Sequence, residues 1–541
     1  MLKKLQHLTR SLTIYGIGDV ATTIVSFLLL PVYVRYLSPS DYGIIALLLT
    51  VEVVAKIVFR WGVDASFMRL YFDCQDQRAR QVLASTIFFF LLAANGVLLA
   101  LALVAAPFAA DHLFGVPGQA AVLRLVLVNT FIIGFYFIPF HVLRIQDQSR
   151  QFTLLTFIRS AATLVLRLAL VVVGGLGVMG VVLADILVSF GFTIVLIKWF
   201  VPLIRPVFSR GVLIDALRFG LPRVPHGVAQ QVMAISDRYL LNRFLWTGLG
   251  MPERERSAAA LRDIGVYSIG ASFALAMKLF LSAFEYAWAP FYFATMKEAG
   301  ATRTFSAVTT YGLAILLLLA AGLAAIADDL VRLMTEPQFY GAARVIPWVA
   351  AGVVFQGVYL LTSIGLNITK HTKYYPVSTT IAAGVSIGAN VLLIPRFGMI
   401  GAAWSNLAAY AVLAGTAMWF SQRFYPISYE WGRIARLVAA AVIVYALAVL
   451  AVPGSLTPMA GLVARGGIVA VGFPLLLLVS GFFSRAERAR LRGLTASLRR
   501  VRMVEATSDT VELAGELVGS TLPGPEAHDA DSHRADSHRR R

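Results

Sequence analysis

Apolar positions along this chain do not alternate with polar ones. They run on through stretches such as 86–106 and 313–327. Barrel strands would show short alternating segments, so the pattern predicts helices. About 20 apolar residues are needed to cross roughly 30 Å of hydrocarbon, where the backbone must satisfy its own hydrogen bonds. Breaking the runs at clusters of charge, Gly and Pro predicts spans at 11–36, 41–62, 82–107, 121–143, 152–173, 178–198, 217–240, 264–290, 305–327, 343–367, 376–394, 399–420, 434–452 and 460–483. The expected fold class is an all-α integral membrane protein with about fourteen transmembrane helices.

The polar residues between these runs set an orientation. Alternate loops carry Arg69, Arg78 and Arg80, then Arg144 and Arg150, Arg205 and Arg210, Lys297 and Arg303, Lys370 and Lys373, and Arg423 and Arg433. The loops around Ser38, His112, Gly175 and Ser455 hold no Lys or Arg, so the positive-inside rule predicts both termini in the cytoplasm. Segment 241–262 departs from this pattern, with Arg243, Arg254, Arg256 and Arg262 partly balanced by Glu253, Glu255 and Asp263, and is expected to fold back against the protein.

Composition agrees: 58% of the 541 residues are hydrophobic, 14% are charged and the mean hydropathy is +0.75. A net charge of +18 would fit nucleic acid in a soluble protein, but here the cations are spread over short loops, so no nucleic-acid partner is expected. Cys74 has no second thiol for a disulfide or a cysteine metal site. The basic start MLKKLQHLTR leads into a full-length apolar run without a small-residue cleavage site and is read as retained. Segment 485–504 has Leu and Val at helical spacing among its basic residues, suited to the anionic inner leaflet. Residues 520–541 are low-complexity, and neither their histidines nor Asp529-Ala530-Asp531 belongs to a folded site.

The chain also repeats itself. Asp41-Tyr42-Gly43-Ile44 matches Asp263-Ile264-Gly265-Val266 at an offset of 222, which also carries Lys56 to Lys278. Gly177-Val178-Met179-Gly180 matches Gly398-Met399-Ile400-Gly401 at an offset of 221, and Tyr15-Gly16 heads its run as Phe219-Gly220 does. Six spans per half make the repeats parallel, with substrate expected between two bundles. The expected organisation is a six-helix lobe over 1–200, a second over 201–425, an extra helix pair over 426–484, and a basic cytoplasmic helix with a disordered tail over 485–541.

Two six-helix lobes plus an extra pair resemble the multidrug/oligosaccharidyl-lipid/polysaccharide exporter superfamily. The opening SLTIYGIGDVATTIVSFLLLPVYVRYLSPSDYGIIAL, the segment WGVDASFMRLYF, and the later AISDRYLLNRF and IGVYSIGASFALAMKLFLSAFEYAWAPFYF resemble its polysaccharide-biosynthesis, Wzx-like flippase branch, with similarity over roughly 8–425. The resemblance implies movement of undecaprenyl-diphosphate-linked oligosaccharide from the inner to the outer leaflet of a bacterial cytoplasmic membrane, for the cell envelope. It also implies a separate polysaccharide polymerase and chain-length machinery as partners, and no cofactor.

An ionisable side chain deep in a span costs at least about 2.5–3.5 kcal/mol, so it should face a partner or a wet cavity. Glu52, Lys56, Arg60 and Asp64 recur every four residues along one helical stripe, and Lys278, Ser282 and Glu285 form another. Arg223, His226, Gln230 and Asp237 share the seventh span, Arg159, Thr163 and Arg167 the fifth, and Asp19 and Asp185 lie in the first and sixth. In one interpretation Lys56, Lys278, Arg223, Arg167, Arg159 and Arg60 line a cavity whose cations hold a diphosphate. Asp19, Asp185, Asp237, His226, Glu52 and Glu285 would then be coupling candidates. The other interpretation has Glu52 neutralise Lys56 and Glu285 neutralise Lys278, with Arg60 and Arg223 snorkelling to the interface and His226 packed beside Pro225. The run Leu221-Pro222-Arg223-Val224-Pro225 either kinks a gating helix or marks a late helix start.

Neither a Walker A loop nor HExxH or GxSxG occurs, and there is no large soluble segment, so an enzyme is not expected. A cation-coupled multidrug exporter would favour an acidic, apolar cavity over a cationic one. A lipid II flippase would share both the span plan and the cationic cavity.

Overall fold

The computed structural model describes residues 30–146, 148–221, 224–245, 251–483 and Glu487, and among them every regular element is helical. After α1 (Leu30–Tyr36), Ser38 caps α2 (Pro39–Arg60). The Ser38 hydroxyl accepts from the Asp41 N–H at 3.2 Å and the Asp41 carboxylate accepts from the Ser38 N–H at 2.9 Å, with Pro39 preset for the first turn. Then follow α3 (Val63–Asp73), the 38-residue α4 (Gln77–Phe114), α5 (Ala120–Ile133), α6 (Phe137–Ile145), α7 (Ser149–Leu168) and α8 (Gly177–Phe200).

The second half opens with α9 (Arg210–Gly220) and α10 (Val224–Phe244), followed by α11 (Glu253–Leu275) and α12 (Met277–Thr295), which are bent by 47° relative to each other. It continues through α13 (Ala301–Ala325), the short α14 (Ala327–Met334), α15 (Ile346–Thr362), α16 (Ile364–Ile368) and α17 (Tyr374–Phe424). The last pair is α18 (Trp431–Ala451) and α19 (Pro458–Val479). The described residues through Leu476 belong to one compact unit, and those from Leu477 to a second.

Ten of the described helical segments are long and apolar enough to cross a membrane, or eleven if the bent α11–α12 pair is one span. This is fewer than the expected fourteen, for identifiable reasons. Segment 374–424 counts once, although Gly398 breaks it with φ 57° and ψ −134°, a conformation that side-chain-bearing residues avoid. Helix α10 is too polar to pass, and most of the expected span 11–36 lies outside the described residues, as does the tail beyond 483 apart from Glu487.

Apolar side chains such as Val104, Val173 and Leu450 stand more than four-fifths exposed, as expected where lipid is the solvent. The main core joins the two halves: Ile44, Leu47 and Leu48 of α2 pack in one cluster with Leu261, Ile264 and Tyr267 of α11. The extra pair is tied to the second half by a buried ion pair between Asp329 of α14 and Arg465 of α19, and Arg465 also donates to the Val452 carbonyl at 3.2 Å. Segment 253–262 is the first part of α11 rather than a loop. Its Ala-rich sequence favours a helix, and Glu253 and Glu255 suit the positive end of the helix dipole.

Candidate functional site

The stripe on α2 ends where the helix does. Trp61 takes a left-handed conformation (φ 50°), and Asn95 of α4 donates to the freed Phe59 carbonyl at 2.7 Å while accepting from the Trp61 indole at 2.9 Å. This fixed corner presents the charges. Lys56 Nζ lies 2.5 Å from Glu52 Oε1, and Arg60 Nη1 lies 3.5 Å from Asp64 Oδ2.

Both pairs are half-buried and belong to the border between the two halves. A cavity of about 320 Å³ is lined by Val53, Lys56, Arg60 and Asp64 on one side and by Val224, Gly227 and Gln231 of α10 on the other. Farther along α2 a second cavity, of about 210 Å³, shares Val53 and is lined by Thr50, Arg238 and Ser268. The Glu52–Lys56 pairing and the cavity position thus coexist, since a lysine can keep one carboxylate contact and still offer its other protons to an anion.

Arg238 stands in AISDRYLLNRF beside Asp237, outside the candidates that helical stripes select. Asp237 is 4% exposed and accepts from the Tyr267 hydroxyl, and Arg238 Nη1 approaches it at 3.6 Å. Arg238 Nη1 also donates to the Ala234 carbonyl at 3.2 Å. The adjacent acid and base inside a span were the available signal.

The remaining candidates lie elsewhere. Arg167 Nε and Nη2 donate to both oxygens of Asp185, at 2.7 and 2.6 Å, joining α7 to α8. Arg159 lies over the rings of Tyr136 and Phe192, 5.1 and 5.8 Å from their centroids, inside the first half. Lys278 Nζ lies 5.9 Å from the Tyr410 ring centroid, lines neither cavity named above, and makes no ion pair with Glu285, which is exposed. Lys56 and Lys278, related by the repeat, therefore have different surroundings. Asp19 and Arg223 lie outside the described residues, and for His226 only its place in α10 is described.

Residues 32–249 match the family described as polysaccharide biosynthesis protein. An uncharacterized membrane protein of Methanocaldococcus jannaschii is 31% identical over 116 residues, 21% of this chain and 22% of that protein, so the chain spans about a fifth of that relative's length. Among solved structures, the lipid II flippase MurJ in an inward closed conformation aligns with a TM-score of 0.65 at 15% identity, covering 86% of this chain and 99% of that one. An inward-facing multidrug resistance MATE family transporter of the MOP superfamily aligns at 0.53 and 16% identity, covering 77% and 95%. A MOP superfamily transporter from Pyrococcus furiosus aligns at 0.50 and 17%, covering 80% and 96%.

The chain shares the all-helical, multi-pass fold of these solved membrane transporters. The family match over 32–249 agrees with the polysaccharide-biosynthesis resemblance of the opening motifs. The first two of these structural neighbours are a flippase and a transporter.

Proposed function

We propose that this protein moves undecaprenyl-diphosphate-linked oligosaccharide from the cytoplasmic to the outer leaflet of a bacterial inner membrane by alternating access. The observation that carries this is the cavity of about 320 Å³ at the border of the two halves, with Lys56 and Arg60 on its wall. That volume suits a polar headgroup rather than a whole lipid. A diphosphate brings charge that Arg engages with paired N–H groups and Lys as a point charge, while the polyprenyl tail stays in the bilayer. Arg238 would take up the anion farther along α2.

The basic loops favour an orientation with the Lys56–Arg60 end of α2 and both termini toward the cytoplasm, where the substrate would be made. A polymerase and chain-length machinery would act downstream on the delivered glycan. With no nucleotide motif in the sequence, the driving force would be the membrane potential, an ion gradient or consumption of product, and one charge moved across 100 mV is worth about 2.3 kcal/mol. Among the coupling candidates Asp237 is the most enclosed of those described; Asp185 and Glu52 already hold cations, Glu285 is exposed, and Asp19 and His226 remain candidates on sequence grounds.

The test is transport in proteoliposomes, with a polyprenyl-diphosphate oligosaccharide, lipid II and a lipophilic organic cation offered as separate cargoes. Protein-dependent exposure of the oligosaccharide to an impermeant glycosidase on the far face is expected. Movement of lipid II or the organic cation without the oligosaccharide would contradict the proposal and favour the corresponding alternative.

A further inference from the structure

The two halves meet through a contact that the internal repeat exchanges. The offset of 222 that carries Gly43 to Gly265 also carries Pro39 to Leu261. A Cβ added to Gly43 would fall on the backbone carbonyl of Leu261, and one added to Gly265 would fall on the backbone carbonyl of Pro39. Each glycine thus lies against the main chain of the other helix at the repeat-related position, as in a self-complementary two-fold contact. The obstacle is backbone in both directions, so no side chain can swing aside, and a methyl group at either site must part the helices.

The surrounding contacts bear on the same end of the molecule. Asn242 of α10 donates to the Leu113 carbonyl of α4 at 2.5 Å, and Ser257 of α11 packs against Gly115. At the other end of α2, Lys56 and Arg60 are parted from α10 by the cavity of about 320 Å³. The helix is therefore pressed to the second half at its start and parted from it along the cavity, and it meets that half again just past its finish, where a Cβ on Gly62 or Gly220 would fall on the other's backbone carbonyl. The bare Ser38 loop and the basic loop with Arg69, Arg78 and Arg80 make the pressed end the outer one.

We infer that the Gly43–Gly265 crossing is the outer seal of the transport cycle, and that the absence of side chains at these two positions sets how far the protein favours states closed at that end. This rests on the transport reading above. A Cβ at either glycine costs the sealed state its close approach and leaves a state parted at that end unaffected, so the population shifts outward by the difference between the two.

The experiment uses the full chain in membranes with Cys74→Ser as background and two reporters measured separately. Ser268→Cys lines the cavity nearer the seal, and Gln231→Cys lines the one beside Lys56 and Arg60. Gly43→Ala and Gly265→Ala, singly, should raise labelling of the Ser268→Cys reporter by an impermeant maleimide from outside by roughly tenfold and lower labelling of the Gln231→Cys reporter from inside. Gly384→Ala, where a Cβ would meet nothing within 4 Å, should change neither. Unchanged labelling in folded single variants would overturn the inference, as would a rise at both reporters, which marks general loosening. If one single variant does not fold, the repeat-related one carries the same test. Labelling needs no substrate, so reciprocal shifts in a protein that moves no glycan would overturn the proposed cargo and leave the seal standing.

Discussion

Arg167 holds Asp185 with two parallel hydrogen bonds, Nε to Oδ1 at 2.7 Å and Nη2 to Oδ2 at 2.6 Å. The pair links helices adjacent in the chain, and it occupies the planar edge that a phosphate would need.

Removing one partner should therefore damage the fold. Asp185→Asn is expected to cost about 3 kcal/mol, because it leaves the guanidinium uncompensated. A double replacement, Arg167→Met with Asp185→Leu, should recover most of that loss. Thermal unfolding of the purified protein in detergent checks both. Wild-type stability for Asp185→Asn, or no recovery in the double variant, would show that the bond adds little.

Arg238 lines an inter-half cavity and also faces buried Asp237. Arg238→Gln should reduce oligosaccharide movement roughly tenfold and lower the unfolding temperature, since it removes an anion contact and the cation beside Asp237. Arg238→Lys keeps the charge but loses the fork, so stability should return further than transport does. If Arg238→Gln transports at the parental rate, the residue serves Asp237 alone.

Much of the local arrangement could be read from spacing, because a helix fixes which residues share a face. The Glu52–Lys56 bond joins residues four apart, and the Asp41 to Ile44 and Asp263 to Val266 correspondence marks the two helices that cross at Gly43 and Gly265. Partners on different helices were not recoverable in this way. Arg167 and Asp185 stand 18 residues apart, and Lys278 lies against Tyr410 rather than Glu285, because side-chain neighbours across helices depend on how the bundle packs. Segment 253–262 reads as a loop when charge marks the boundary, yet its Ala-rich sequence carries α11 past the membrane-spanning part.

Cys74 sits in the loop after α3, and burial pushes its thiol above the ordinary range, more than the charge of Arg80 pulls it down. Less thiolate is then present at neutral pH than for a free cysteine, and reactivity follows the thiolate. Maleimide labelling of Cys74 should be slower than that of a Gln75→Cys reporter in a Cys74→Ser background, and should still be climbing at the pH where the reporter's labelling levels off. A plateau at the pH of an ordinary thiol would contradict this.

The most direct measurement is oligosaccharide movement by Lys56 variants in proteoliposomes. Lys56 lines the cavity between the halves and pairs with Glu52, so replacing it with Gln leaves that carboxylate without its cation, and thermal unfolding is measured beside transport. Lys56→Gln is expected to slow movement at least about tenfold, equivalent to 1.4 kcal/mol or more. Lys56→Arg should retain more activity, and adding Lys278→Gln to Lys56→Gln should abolish what remains. A folded Lys56→Gln protein that moves the oligosaccharide at the parental rate would contradict a cationic inter-half cavity as the diphosphate site.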